Sequence, residues 1–372
     1  MSAAPTVGIV GLAGAYGRWL ERFFRERMGL AVIGCDPALP DGPSAREVRD
    51  RADVLLFAVP IRHTARIIAE LAADMPERGV PPLWLDVTSI KQAPVAAMQA
   101  APVEVLGLHP MAAPPKSPTL KGRVLVVCEG RLDHWRGFTG RLLDALEAQC
   151  VHCAPTEHDQ IMARVQALAH AAILSLAGVL AEDEAPLSPP AALLPYRTPI
   201  FELANAMMTR ILSSNPQIYE DIQFGSQAVA PILDRLAVRT RALADLVADG
   251  DEAAREAFRT RFLDAPRSAF GGAPLGEGNA GFERLAWLLA DLAEPRCLAL
   301  HLPEDRPGAL RAVLADFEQH GISIESIHSS RSPEGDVQFR IGFSRQQDDT
   351  AIRAASARLE TAGLACVISL QL

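Results

Sequence analysis

A doubly wound α/β domain, an all-α region and a ferredoxin-like α+β domain, in that order, form the fold class that the sequence predicts. Three observations carry it. Short apolar strands alternate with helical periodicity up to residue 152, strand signals vanish over the helical stretch that follows, and the last part reads strand, helix, two strands, helix, strand. The expected boundaries are 1–152, 153–294 and 295–372. With 372 residues, 49% of them hydrophobic and 22% charged, the chain can bury two or three separate cores.

In the first part, strands are expected at residues 7–10, 31–34, 54–59, 83–87, 105–108 and 124–128. The first runs into Gly11-Leu12-Ala13-Gly14-Ala15-Tyr16-Gly17 and then into a helical pattern carried by Trp19, Leu20, Phe23 and Phe24. Glycines between a strand and a helix let the backbone approach a pyrophosphate, which then sits on the helix N-terminus. The spacing Gly-x-x-Gly-x-x-Gly is not the strict dinucleotide fingerprint, so context must support it. That context is Asp36, which ends the second strand about twenty residues past the last glycine. A carboxylate there accepts from both ribose hydroxyls and repels a 2′-phosphate, which favours NAD over NADP. The first part is therefore expected to be a Rossmann-type NAD-binding domain, with Gly11, Leu12, Ala13, Gly14, Ala15, Tyr16, Gly17 and Asp36 around the cofactor.

Gly107-Leu108-His109-Pro110-Met111 places a histidine at the carboxyl end of a sheet strand, beside the expected cofactor crevice. An unperturbed imidazole is largely neutral near pH 7 and can accept a hydroxyl proton, so the pairing points to hydride-transfer chemistry with His109 as the base. Helices are expected at 157–182, 199–213 and 217–248, with a proline-rich break at 186–199 and a loop at 266–281, where glycine and proline are frequent. So long an apolar helical region should pack against a second copy of the chain. No segment reads as long and apolar enough to span a bilayer, and no basic-then-apolar leader opens the chain, so a cytoplasmic protein is expected. A net charge of -9 offers no basic face to nucleic acid. The six cysteines sit in apolar runs and are expected to be mostly reduced core residues; Cys150-Val151-His152-Cys153 lacks a second ligand pair, and no metal is expected.

The glycine loop, Asp86-Val87-Thr88-Ser89-Ile90-Lys91, Gly107 to Met111, Glu157-His158-Asp159-Gln160 and Met208-Thr209-Arg210-Ile211 occur in the order found in prephenate dehydrogenases, the TyrA family of tyrosine biosynthesis. Over residues 6–265 the chain resembles that family, and residues 305–331 resemble an ACT domain of the kind that binds aromatic amino acids. The resemblance implies an NAD-dependent oxidative decarboxylation of prephenate, or of its amino analogue arogenate, in a homodimer. It implies that His109 and Ser89 are catalytic, although Ser89 could equally cap a helix. Arg210 is implied to grip the ring carboxylate, with His170 on the substrate side and Tyr219 at an aromatic position near the other subunit's site. Lys91 is read as a solvated surface lysine by default, and Glu157 and Asp159 as structural. In the ACT-like part, Asp305, Pro307, Gly308, Ala309, His328 and Ser329 are implied to hold L-tyrosine as a feedback effector; the alternative is a passive dimerisation module. Leu12, Ala112-Ala113-Pro114 and Glu202 depart from the family pattern, and a Glu202 facing the substrate side chain would favour the amino group of arogenate. Two other classes stay open: a Rossmann hydroxyacid dehydrogenase, which would want a catalytic lysine in the helical part where none follows Lys121, and a non-enzymatic NAD or amino-acid sensor.

Overall fold

The computed structural model describes residues 4–114, 117–182, 190–293, 295–304, 306–331 and 337–372. They form two compact units, Met1–Ala248 and Asp249–Leu372.

The first unit opens with β1 (Val7–Val10), α1 (Ala15–Arg22), β2 (Val32–Cys35), α2 (Ala45–Arg51), β3 (Val54–Phe57), α3 (Ile61–Ala72), β4 (Leu83–Asp86), α4 (Gln92–Gln99), β5 (Glu104–Pro110), β6 (Val124–Glu129), α5 (Arg136–Leu146) and β7 (Gln149–His152). The strands lie in the order β2-β1-β3-β4-β5-β6-β7. β1 to β5 run parallel, β6 is antiparallel to β5, and β7 runs parallel to β6. Side chains alternate between the two faces, so the sheet has a core on each side. Ile9, Leu56, Leu85, Leu106 and Phe24 fill one; Val10, Leu55, Phe57, Trp84 and Val105 fill the other. Each such side chain contributes roughly 1.5–3 kcal/mol on burial. The order reverses about β1, which puts the crevice for a ligand outside the carboxyl ends of the central strands. The strand β7 was not expected: it is short, at the sheet edge, and largely exposed, so its residues carry little apolar alternation.

The rest of this unit is helical: α6 (Pro155–Met162), a widened π turn at Ala163–Leu168, α7 (Ala169–Glu182), a 3₁₀ turn at Pro190–Tyr196, α8 (Pro199–Leu212), α9 (Pro216–Phe224) and α10 (Val229–Asp249). Thr198 and Asn215 cap α8 and α9, each followed by a proline whose missing N–H costs nothing at a helix start. The helix expected over 217–248 is two, parted at Gly225-Ser226. One expectation fails here. The helical run Pro155–Glu182 has 28 residues and is long and apolar enough to cross a membrane, yet little of it is buried within the chain. It was overlooked because His158, Asp159 and Arg164 interrupt its first turns. The core of this region is small, centred on Ala163, Ala167, Ile222 and Val229, while Val179, Val238 and Val247 are about two-thirds exposed, at 66%, 69% and 70%.

In the second unit, α11 (Glu252–Phe258), a π turn at Arg259–Asp264, α12 (Ala265–Phe270) and α13 (Gly272–Ala293) precede β8 (Cys297–His301), α14 (Ala309–Gln319), β9 (Ile324–Arg331), β10 (Val337–Phe343), α15 (Asp349–Thr361) and β11 (Cys366–Gln371). The antiparallel sheet β11-β8-β10-β9 packs Leu298, Leu300 and Ile341 against Phe317 and Ile352 of the helices, as the ferredoxin-like reading requires. The loop expected at 266–281 is instead helix. Pro266 and Pro274 stand in the first turns of α12 and α13, where proline is tolerated, and glycines at about 1 kcal/mol each weaken a helix without forbidding it. Cys35, Cys128 and Cys297 are buried as expected, whereas Cys150 and Cys153 are half-buried and Cys366 is exposed; all six are free thiols.

Candidate active site

The glycine loop is built for close backbone approach. Gly11 has φ +94°, and a Cβ there would stand 2.4 Å from the Ala58 carbonyl oxygen. A Cβ on Gly17 would lie 2.1 Å from the Gly11 oxygen. Gly14 precedes α1 without any side-chain cap, and no acidic residue occupies the first turn, so the amides of Ala15, Tyr16 and Gly17 face a position suited to an anion. Asp36 follows β2, as the sequence predicts. Its Oδ2 accepts from Ala13 N at 3.0 Å and its Oδ1 from Ala38 N at 2.9 Å, which brings the carboxylate to the glycine loop. Leu12 packs on Gly34, where a Cβ would meet its side chain at 2.9 Å. Tyr16 does not offer its hydroxyl outward: it donates to the carbonyl of Ala112, tying α1 to the turn after Pro110. The loop and Asp36 thus fit a dinucleotide.

His109 is buried next to the carboxyl end of β5, directly opposite Val126 of β6. Its Nδ1 lies 2.9 Å from Nε2 of His158, whose own Nδ1 lies 2.7 Å from Oδ1 of Asp159. Asp159 also accepts from the backbone amides of Lys91 (2.8 Å) and Gln92 (3.1 Å), which pins the start of α6 to the start of α4. A carboxylate that accepts two backbone N–H bonds is an acceptor only, so His158 must carry its proton on Nδ1. A neutral His158 then presents a bare Nε2, and His109 must donate to it from Nδ1. The remaining nitrogen of His109, Nε2, keeps its lone pair, with the side-chain nitrogen of Gln166 3.4 Å away. Burial, first, and then the neighbouring Lys91 ammonium hold His109 well below the ordinary histidine range, in its neutral form.

Lys91 corrects the surface reading. It is fully buried and its ammonium pairs with Asp86, also fully buried, at the end of β4. Thr88 donates its hydroxyl to the same carboxylate at 2.6 Å. Burial pulls the lysine below its usual range while Asp86 opposes the shift. Asp159, read as structural, is the end of the histidine chain as well as a helix anchor; Glu157 is exposed in the first turn of α6, as expected. Ser89 does not cap α4, whose preceding residue is Lys91; it lines a narrow cleft with Ile90, Asp159, Met162, Gln166 and Ile222.

The other candidates fall elsewhere. His170 and Tyr219 meet edge to face with centroids 5.1 Å apart, within one chain, and Nδ1 of His170 is buried without a hydrogen-bond partner among the described residues. Arg210 is exposed in the last turn of α8, donating to Ser214 Oγ at 3.1 Å, and does not line the cleft. Glu202 accepts from Arg197 at 3.2 Å. In the second unit Gly308, at φ +91°, precedes α14, which starts at Ala309 beside Pro307; Asp305 lies outside the described residues. Ser329 and His328 are neighbours on β9, opposite Phe339 and Arg340, and His328 Nε2 is 3.4 Å from Asp291 of α13 without hydrogen-bond geometry. Sequence reasoning did not single out His158 and Gln166 for the chemistry. The signal for His158 was its adjacency to an acid at a helix start; for Gln166 there was none, because the π turn decides where it points.

Comparison with known proteins finds the same three domains in the same order. Residues 40–130 match the prephenate dehydrogenase nucleotide-binding domain, residues 154–260 the prephenate dehydrogenase dimerization domain, and residues 298–360 the ACT domain. A 4-amino-4-deoxyprephenate dehydrogenase of Streptomyces pristinaespiralis is 32% identical over 301 residues, which are 74% of this chain and 93% of that protein. The T-protein of Enterobacter agglomerans is 33% identical over 249 residues, 67% of this chain but only 64% of the length of that relative. Among solved structures, the A. aeolicus prephenate dehydrogenase in complex with hydroxyphenyl propionate and NAD+ superimposes with a TM-score of 0.55 at 19% identity, over 71% of this chain and 98% of that one, a likeness of fold.

Proposed function

The chain belongs to the prephenate dehydrogenase family, and from that premise we propose that it oxidises prephenate with NAD, releasing carbon dioxide and leaving 4-hydroxyphenylpyruvate. When bound in the glycine loop, with its ribose at Asp36, NAD supplies the hydride acceptor. The observation that carries the reading is the bare Nε2 of His109 at the carboxyl edge of β5, oriented by His158 and Asp159. That nitrogen takes the proton of the substrate hydroxyl. On the strength of the family resemblance, Ser89 is the proposed second partner of the reacting hydroxyl, and Arg210, His170 and Tyr219 are the proposed substrate-binding residues.

Prephenate is preferred to arogenate on one argument. Asp159, at the end of the histidine chain, has both oxygens engaged by Lys91, Gln92 and His158 and offers no free carboxylate to a substrate ammonium. The sequence argument for arogenate rested on Glu202, which is paired with Arg197. A second reading is a 4-amino substrate, favoured by the relative of which this chain covers 93%. The test is NADH formation from prephenate, arogenate and 4-amino-4-deoxyprephenate in parallel, with NAD and with NADP. The highest kcat/KM is expected for prephenate with NAD; turnover of none of the three would overturn the reading in favour of a sensor.

The exposed valines of α7 and α10 and the matched dimerization domain support a homodimer. Arginine at both Val179 and Val238 is expected to convert a dimer to monomers in sedimentation velocity, and an unchanged sedimentation coefficient would remove this face from the interface. L-Tyrosine is the proposed effector of the ACT domain, received near Pro307, Gly308, Ala309, His328 and Ser329.

A further inference from the structure

We propose that His158 is a second station for the substrate proton. As His109 Nε2 gains the hydroxyl proton, the N–H bond at His109 Nδ1 breaks, one forms at His158 Nε2, and the positive charge comes to rest beside Asp159. This inference rests on the reading of His109 as the base.

Three observations point the same way. The hydrogen bonds from His109 to His158 (2.9 Å) and from His158 to Asp159 (2.7 Å) run in one direction, because Asp159 can only accept. A cation on His109 itself would be buried, with the Lys91 ammonium as a repelling neighbour, whereas a cation on His158 would sit against a carboxylate. His158 is completely buried, with 0% exposure, so a proton placed there is out of direct contact with bulk water.

That last point would be a defect in an ordinary dehydrogenase. Here it matches the stoichiometry. Prephenate dianion and NAD+ give 4-hydroxyphenylpyruvate, carbon dioxide and NADH with no proton gained or lost overall. The hydroxyl proton leaves as the carbinol is oxidised. Loss of the carboxyl group returns the C–C electron pair to the ring, so the oxygen becomes a phenolate and takes a proton back. Reversal of the relay supplies it: the N–H at His158 Nε2 breaks, His109 Nδ1 is reprotonated, and Nε2 releases its proton to the phenolate oxygen. The proton is held for one turnover only, and a buried station keeps it out of direct contact with bulk water. His158 is thus a positioning residue that acts through His109.

The test is single-turnover oxidation of prephenate with NAD in H2O/D2O mixtures. The wild-type proton inventory is expected to curve, with two protons in flight. His158→Gln keeps an acceptor for His109 and a donor for Asp159 but cannot bear the charge. It should preserve both KM values, lower the single-turnover rate about tenfold or more, and give a linear inventory. An unchanged rate with a curved inventory in His158→Gln, or a linear inventory in the wild type, would overturn the relay. His109→Asn separates the two ideas: if it stays active the base assignment itself is wrong, whereas an inactive His109→Asn beside a normal His158→Gln removes only the relay. Should His158→Gln fail to fold, ¹⁵N NMR of the wild-type histidines decides: a proton on His109 Nδ1 supports the relay, and one on Nε2 excludes it.

Discussion

Asparagine in place of His109 is expected to cut turnover by on the order of a hundredfold or more while leaving NAD affinity unchanged. A positioned general base is worth about that much, and His109 lies on β5 while the nucleotide cradle is formed by Gly11 to Gly17 between β1 and α1. Asparagine can still donate to His158 but offers no basic nitrogen to a hydroxyl. The wild-type pH profile supplies the companion measurement. Because burial and the Lys91 ammonium depress His109, the neutral base persists from neutrality to well below the ordinary histidine value of about 6.5. Activity should therefore be lost only as pH falls through that depressed value, when the imidazole is protonated and can no longer accept. An acid limb at an unshifted histidine value, or near-normal turnover in the variant, would show that another group takes the proton.

Methionine in place of Lys91 should act on stability. It leaves the Asp86 carboxylate fully buried without its cation, and breaking a buried pair from one side costs about 3–5 kcal/mol. In a unit of this size roughly 2–4 °C of melting temperature goes with each kcal/mol, so calorimetry should show a drop of about 10 °C. Adding Asp86→Leu should recover much of the loss, since an apolar replacement of both partners leaves no stranded charge. Where the single variant does fold, removal of the lysine charge should also move the acid limb of activity upward, because one of the influences depressing His109 is gone. A melting temperature within a degree of wild type would mean that water reaches Asp86.

The parts of the molecule that were legible in the sequence are those whose physics is local. Strands β1 to β6 announce themselves by apolar runs bounded by turns, and the loop from Gly11 to Gly17 by backbone geometry that only glycine meets. His109 stood out because a strand end beside a nucleotide loop is a place for chemistry. Lys91 was misread because its partner, Asp86, belongs to the preceding strand, and nothing in Ser89-Ile90-Lys91 says that the turn folds inward. The histidine chain was missed for a related reason: His109 and His158 are 49 residues apart and meet only once α6 docks on α4. The helix over Gly272–Ala293 was hidden by composition, since its glycines and proline mimic a loop one residue at a time.

The π turn at Ala163–Leu168 stands between His158 and His170 and contains Gln166. Such a turn is an α-helix that has accommodated an extra residue. Deleting one residue from the turn would restore the α ladder and leave α7 close to its present direction, because the turn has already absorbed that residue. The same deletion in the regular helix of α6 would rotate everything beyond it by about 100°, so that His170 would leave Tyr219 and the apolar side of α7 would swing to a new direction in a single genetic step. A change of length is absorbed at this turn and not in the regular helix beside it.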